Sequence, residues 1–167
     1  AGLEAMIRNK GKGTWHLSSS DEPGEGEHKL MHAWRTGSYT GNFAVYGLDA
    51  DLIVLSLLGQ ETCSLDNKIW LFREEIDKGK IAYDKEGEEQ FEWFSIHALR
   101  DWIVGSSDRR QMILNYCFAM SVLGNDFLPS SLGLKIRDDG HGELLSFIRS
   151  LHLPLIDSNT MEISQEG

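Results

Sequence analysis

Between Phe43 and Leu58 the chain runs almost wholly apolar, and two aspartates, Asp49 and Asp51, break the run. No other stretch constrains the fold as tightly. It is too short and too interrupted for a membrane span, which needs about 18 uninterrupted apolar residues. Phe43-Ala44-Val45-Tyr46 instead reads as a buried strand, Gly47 to Asp51 as a turn, and Leu52 to Leu58 as an apolar helix or helix start.

The rest of the chain repeats this mixture. Residues 1–13 are polar and mildly basic (Arg8, Lys10, Lys12) and read as a poorly ordered lead-in, and Thr14 to Leu17 as a short strand. Pro23-Gly24-Glu25-Gly26 is punctuated as a loop. A helix is expected from Glu27 to Arg35, with Leu30, Met31 and Trp34 at helical spacing. Ile69 to Phe72 and Phe91 to Phe94 read as a second and third strand, separated by a charged, hairpin-like loop. Trp70 and Trp93, in those strands, are assigned to the core. His97 to Val104 and Asp108 to Leu123 read as helices, the latter apolar almost all round and therefore buried. Glu143 to Leu151 is a last amphipathic helix before a polar tail. Strands interleaved with helices in 167 residues, 41% of them hydrophobic, predict a single domain of α/β layers.

Charge narrows the function. Sixteen basic against 26 acidic residues leave a net charge of −10. That argues against broad electrostatic binding of nucleic acid, where a basic surface supplies most of the affinity. It leaves room for a concentrated acidic site. Cys63 and Cys117, 54 positions apart, form neither a metal spacing nor a disulfide frame, and reduced thiols in an intracellular setting are expected. No membrane partner is expected.

Five carboxylates sit at punctuation points: Glu25 and Glu27 in Pro23-Gly24-Glu25-Gly26-Glu27-His28-Lys29, Asp49 and Asp51 after the first strand, and Asp126 in Gly124-Asn125-Asp126-Phe127-Leu128-Pro129. Strand ends in α/β sheets open onto the functional crevice. Acids gathered there repel one another, and a hard divalent cation such as Mg²⁺ relieves the repulsion. Glu25 and Glu27 lie about 200° apart on an ideal helix, so the simplest arrangement puts Glu25 in the loop and Glu27 in the first turn. Glu27 then shares the apolar face of Met31 and Trp34, where a carboxylate needs a partner or a metal. Taken singly, each acid has a plainer reading: Asp51 as a helix N-cap, Asp126 as a turn residue, Glu25 as a solvated loop acid. The histidine pair His28 and His32 has zincin spacing but lacks the glutamate of that motif, and His28 can instead support Glu27. Arg109 and Arg110 read as a solvated helix start.

At these residues the sequence resembles the XRN 5′→3′ exoribonucleases, within the wider group of PIN-like and flap-endonuclease-like nucleases. The Pro23–Lys29 segment, Tyr46-Gly47-Leu48-Asp49-Ala50-Asp51-Leu52 and Gly124–Pro129 look like three of its signature blocks in order, with Leu71-Phe72-Arg73-Glu74-Glu75 as a fourth. The resemblance implies a PIN-like (Rossmann-like) fold with a mainly parallel sheet flanked by helices. It implies an enzyme that removes nucleotides from RNA carrying a 5′-monophosphate, in the cytoplasm or nucleus. Glu25, Glu27, Asp49, Asp51 and Asp126 would ligate two Mg²⁺ or Mn²⁺ ions, directly or through water. Family members carry an earlier segment with two further aspartates and a basic 5′-phosphate pocket. Residues 1–167 are therefore expected to be one partial domain, the second half of the nuclease domain, with that segment as its partner. The resemblance assigns the activity to the parent protein. A non-catalytic PIN-like scaffold that binds RNA or protein is the alternative. A nucleotide-sugar transferase reading of Asp49-x-Asp51 leaves Glu25, Glu27 and Asp126 unexplained.

Overall fold

Strand pairing sets the frame. In the computed structural model, which describes residues 13–37, 40–47, 49, 51–63, 67–78, 80–123 and 140–164, β1 (Phe43–Tyr46) lies parallel to β2 (Ile69–Glu74). Between them runs the helix α2 (Asp51–Thr62), the crossover that a parallel pair requires. α2 follows α1 (Gly26–Arg35), which precedes β1. On its other side β2 pairs antiparallel with β5 (Phe91–Ser95). Among the described residues the sheet is thus mixed, in the order β1-β2-β5, where a mainly parallel one was expected. The reason is the connection. The described residues of 75–90 hold the small ribbon of β3 (Ile76–Asp77) and β4 (Lys80–Ile81) and a Tyr83–Glu89 bridge, and with no crossover helix among them the chain returns in the opposite direction.

Among the described residues three helices follow. α3 (Ile96–Val104) starts directly from β5, with Ser95 Oγ accepting from the Ala98 amide as its N-cap. α4 (Arg109–Val122) is capped by Asp108, which accepts from Gln111 N at 2.8 Å. α5 (Gly140–Ser150) packs on α4. The core joins Val45, Ile69 and Leu71 on one sheet face to Trp34 of α1, Leu52 and Leu57 of α2, Ile96 and Ile103 of α3, Ile113 and Tyr116 of α4, and Leu144 and Ile148 of α5. No described helix is long and apolar enough to cross a membrane.

Three expectations need correction. Thr14 to Leu17 is not a strand, and Trp15 is exposed. Trp93 is 59% exposed instead of core, because its register with Phe72 places it on the sheet face opposite the helices. Arg109 and Arg110 are not free solvated side chains. Arg109 Nε reaches Glu61 Oε1 at 2.6 Å, and Arg110 donates to the backbone carbonyls of Glu61 and Ser158. The polar tail is also docked. Asn115, 6% exposed on α4, accepts from the backbone amides of Leu155 and Ile156, and Ile156 bridges to Ile163. Asn115→Ala leaves those amides without their acceptor and is expected to cost about 1–3 kcal/mol, read from urea unfolding. Limited proteolysis should then cut first after residue 150.

Candidate acidic cation centre

The site begins with a tight turn. Gly24 adopts φ +100°, a conformation side chains disfavour, and turns the chain into α1. Glu25 follows in extended conformation (φ −74°, ψ 160°) as the N-cap residue without a side-chain cap bond, so its carboxylate stays available. Glu27 stands in the first helical turn, half-buried, while Glu25 is exposed. The division between loop acid and helix acid is the one expected from helical geometry.

Trp34 seats α1. Its ring packs edge-on against Phe43 of β1, with centroids 5.7 Å apart, and lies over Gly59 of α2. This contact brings the start of α1 to the carboxyl end of β1, where Glu27, Tyr46 and Leu52 line one shallow cleft. Gly47 then leaves the strand, its amide held by the Phe72 carbonyl at 3.2 Å. Asp49 Oδ1 accepts from the Asp51 amide at 3.1 Å, and the Asp49 carbonyl accepts from Leu52 N. The side chain that closes the α2 entry turn is therefore that of Asp49, and Asp51 is the first residue of the helix, half-buried.

Ligand-capable atoms of Glu25, Glu27 and His28 all lie within 4.8 Å of one another. Burial holds the Glu27 carboxyl above the usual 4.5, and the charges of Asp49 and Glu25 push it the same way. A hydrogen bond with Glu25 adds to the rise, and His28 opposes it. Glu27, in the first turn of α1, thus feels the charges of the loop acid Glu25 and of Asp49 in the β1–α2 turn. Asp126 lies outside the described residues. His28 was read from the sequence only as support for Glu27, yet its nitrogen stands with the carboxylates. Its position next to Glu27 was the available signal. The set fits a hard divalent cation: carboxylate oxygens suit Mg²⁺, and an added imidazole nitrogen widens the fit to Mn²⁺.

A pH prediction follows from Glu27. A carboxyl whose folded pKa is raised contributes stability that is complete below pH 4.5 and is lost as pH rises through the folded value. Near neutral pH the ionised group therefore weighs against the metal-free fold. Glu27→Gln is expected to melt higher than the parent chain at pH 7 in EDTA, with the gap closing towards pH 4.

Burial pushes the Cys117 thiol up to about 12, which leaves it inert.

A mixed α/β sheet with Glu25, Glu27 and His28 grouped beside the carboxyl end of a parallel strand offers a candidate cation centre at the place where α/β folds open their functional crevice. The family description "XRN 5′-3′ exonuclease N-terminus" matches residues 3–75. The chain is 31% identical to the 5′-3′ exoribonuclease 1 of Schizosaccharomyces pombe, over 90% of this chain and 12% of that protein. It is 32% identical to the 5′-3′ exoribonuclease 2 of Saccharomyces cerevisiae, over 77% of this chain and 16% of the relative. With the Candida albicans 5′-3′ exoribonuclease 2 it shares 30% identity, over 74% of this chain and 16% of the relative. The chain belongs to the XRN 5′-3′ exonuclease family. It spans between 12% and 16% of the length of these three curated relatives.

Proposed function

We propose that this chain is part of the nuclease domain of a metal-dependent 5′→3′ exoribonuclease, a PIN-like domain that hydrolyses phosphodiester bonds of RNA bearing a 5′-monophosphate. The observation that supports the reading is the grouping of Glu25, Glu27 and His28 within 4.8 Å of one another, with Glu27 also under the charge of Asp49 from a second sequence block. Glu25, Glu27, Asp49, Asp51 and Asp126 are the residues that would hold two Mg²⁺ or Mn²⁺ ions. When bound, such ions activate water and neutralise the leaving oxygen. The chain's own part is electrostatic and positional. Asp49 stays fixed by its bond to the Asp51 amide, and Glu27 stays fixed by α1. Their negative charge holds cations where the phosphate of the substrate must come, which an uncompensated acidic surface would repel. Residues 1–167 form one partial domain in this reading, completed by a segment that supplies the 5′-phosphate pocket and further acids.

The test is incubation of 5′-phosphorylated RNA with the chain and Mg²⁺. Shortening from the 5′ end that vanishes in Glu27→Gln supports the nuclease. RNA that is bound but unchanged supports the non-catalytic scaffold instead.

A further inference from the structure

The acidic centre leaves His32 unused. His28 and His32 stand one turn apart on α1, about 40° from each other around its axis, and both are exposed. Side chains so placed have Cβ atoms about 5–6 Å apart, within reach of one ion at the ~2.0–2.1 Å of a Zn–N bond. Lys29 stands where zincins carry a glutamate. That glutamate is a general base and not a metal ligand, so its absence removes hydrolytic chemistry and leaves the chelating pair intact.

The fold adds a third imidazole. The segment before α1 is tied to the helix by Lys29 Nζ, which donates to the Ser19 carbonyl at 2.9 Å. From that segment His16 and Glu22 line a cleft of about 750 Å³ together with His28 and His32. Ser18 Oγ donates to the Glu22 carboxylate at 2.5 Å. Lys29 and Arg35 line the same cleft, so a hard ion held by charge alone is repelled there. Neutral imidazole nitrogens bind through lone pairs, which suit Zn²⁺, Cu²⁺ and Ni²⁺ better than Mg²⁺. His16 is exposed as well, and exposed rings change rotamer within nanoseconds, so the three can close on an ion while the helix stays in place.

We propose that His16, His28 and His32 form a site for a borderline transition ion, with Zn²⁺ as its representative, on the exposed face of α1. The ion clasps the segment before α1 to the helix. His28 stands in both groups, beside Glu25 and Glu27 and in this cleft, whereas His32 belongs to the cleft and lies outside the acidic group. His32 is therefore the residue that separates the two sites. The inference does not depend on the nuclease reading.

The experiment is a titration of Zn²⁺ into the whole chain in saturating Mg²⁺, which competes for the carboxylates of the acidic centre. Imidazole ¹⁵N resonances and calorimetric affinity are the readouts. One equivalent of Zn²⁺ is expected to move the ring resonances of His16, His28 and His32 and to leave those of His97, His141 and His152 in place. Losing even an outer partner costs a metal site about 10–100-fold in affinity, so His32→Ala is expected to weaken Zn²⁺ binding by about tenfold or more. His32→Cys, which returns a ligand to the same place, should restore it. Stabilisation by Mn²⁺ should be the same in His32→Ala as in the parent chain. Zn²⁺ affinity that survives His32→Ala and falls in Glu27→Gln would put the ion in the acidic centre and overturn the proposal. So would a His16 ring that stays in place, equal shifts of all the histidines, or rings that respond to inorganic phosphate and not to Zn²⁺.

Discussion

Mg²⁺ or Mn²⁺ at about 100 times its Kd is expected to raise the unfolding free energy of this chain by about 2.7 kcal/mol. The effect follows from mass action: an ion that binds the folded arrangement of Glu25, Glu27 and Asp49, and not the unfolded chain, shifts the equilibrium by RT ln(1 + [L]/Kd). The structure explains why the folded state invites it. Glu27 is held above its ordinary titration range by burial, Asp49 and Glu25, so the metal-free fold carries unrelieved repulsion. A divalent ion turns that repulsion into attraction. Asp49→Asn combined with Asp51→Asn is expected to abolish the gain, as seen in thermal melts with and without the ion. Equal stabilisation of the double variant would place the ion elsewhere.

Trp34→Ala is expected to cost about 3–5 kcal/mol, the range for deleting a large buried aromatic side chain. Trp34 is 2% exposed and joins α1 to both β1 and α2. Its Nε1 has no partner, so removing the ring also removes a buried orphan donor, and the lower end of the range is favoured. The consequence for the site is the more telling part. With the ring gone, α1 keeps only the partly buried contacts of Leu30 and Met31, its first turn is held less firmly, and stabilisation by Mn²⁺ should fall although every carboxylate remains. Gly59→Ala attacks the same contact from the other side. A Cβ there would stand 2.7 Å from Trp34 Cε3, and overpacking of this kind costs about 1–3 kcal/mol. Urea unfolding of both variants, with and without Mn²⁺, measures the two effects together. Full cation stabilisation in a destabilised Trp34→Ala chain would show that the centre does not depend on the seat of α1.

The elements most legible in the sequence were those with one strong local signal. The strand Phe43–Tyr46 and the helix after it come from an unbroken apolar run with polar punctuation, and α4 from a run too apolar for any surface. Glu27's half-buried place was legible because helical spacing ties it to Met31 and Trp34. Features that depend on register or on distant partners were hidden. Trp93 sits in an apolar strand, and only its pairing with Phe72 reveals that it faces away from the helices. Glu74 entered only as a letter of the Leu71–Glu75 block, and its burial was hidden because it arises from Tyr46 and Phe91 on neighbouring strands. The docked tail was equally hidden, because its anchor, Asn115, lies forty residues upstream on α4. Asp49 and Asp51 illustrate the limit at the site itself. Both are acids at a helix start, and the sequence offered a cap only for Asp51, as the plainer alternative to a metal ligand, whereas backbone geometry gives the closing bond to Asp49.

The central claim is that acids from separate blocks share one bound cation. Substoichiometric Mn²⁺ added to the ¹³C,¹⁵N-labelled chain tests it most directly, by paramagnetic broadening of side-chain carboxyl resonances. The account predicts that Glu25, Glu27, Asp49, Asp51 and Asp126 broaden first and together, ahead of acids such as Glu86 and Glu162. Broadening of Glu27 while Asp49 and Asp126 stay sharp, or uniform broadening of all acids, would contradict it.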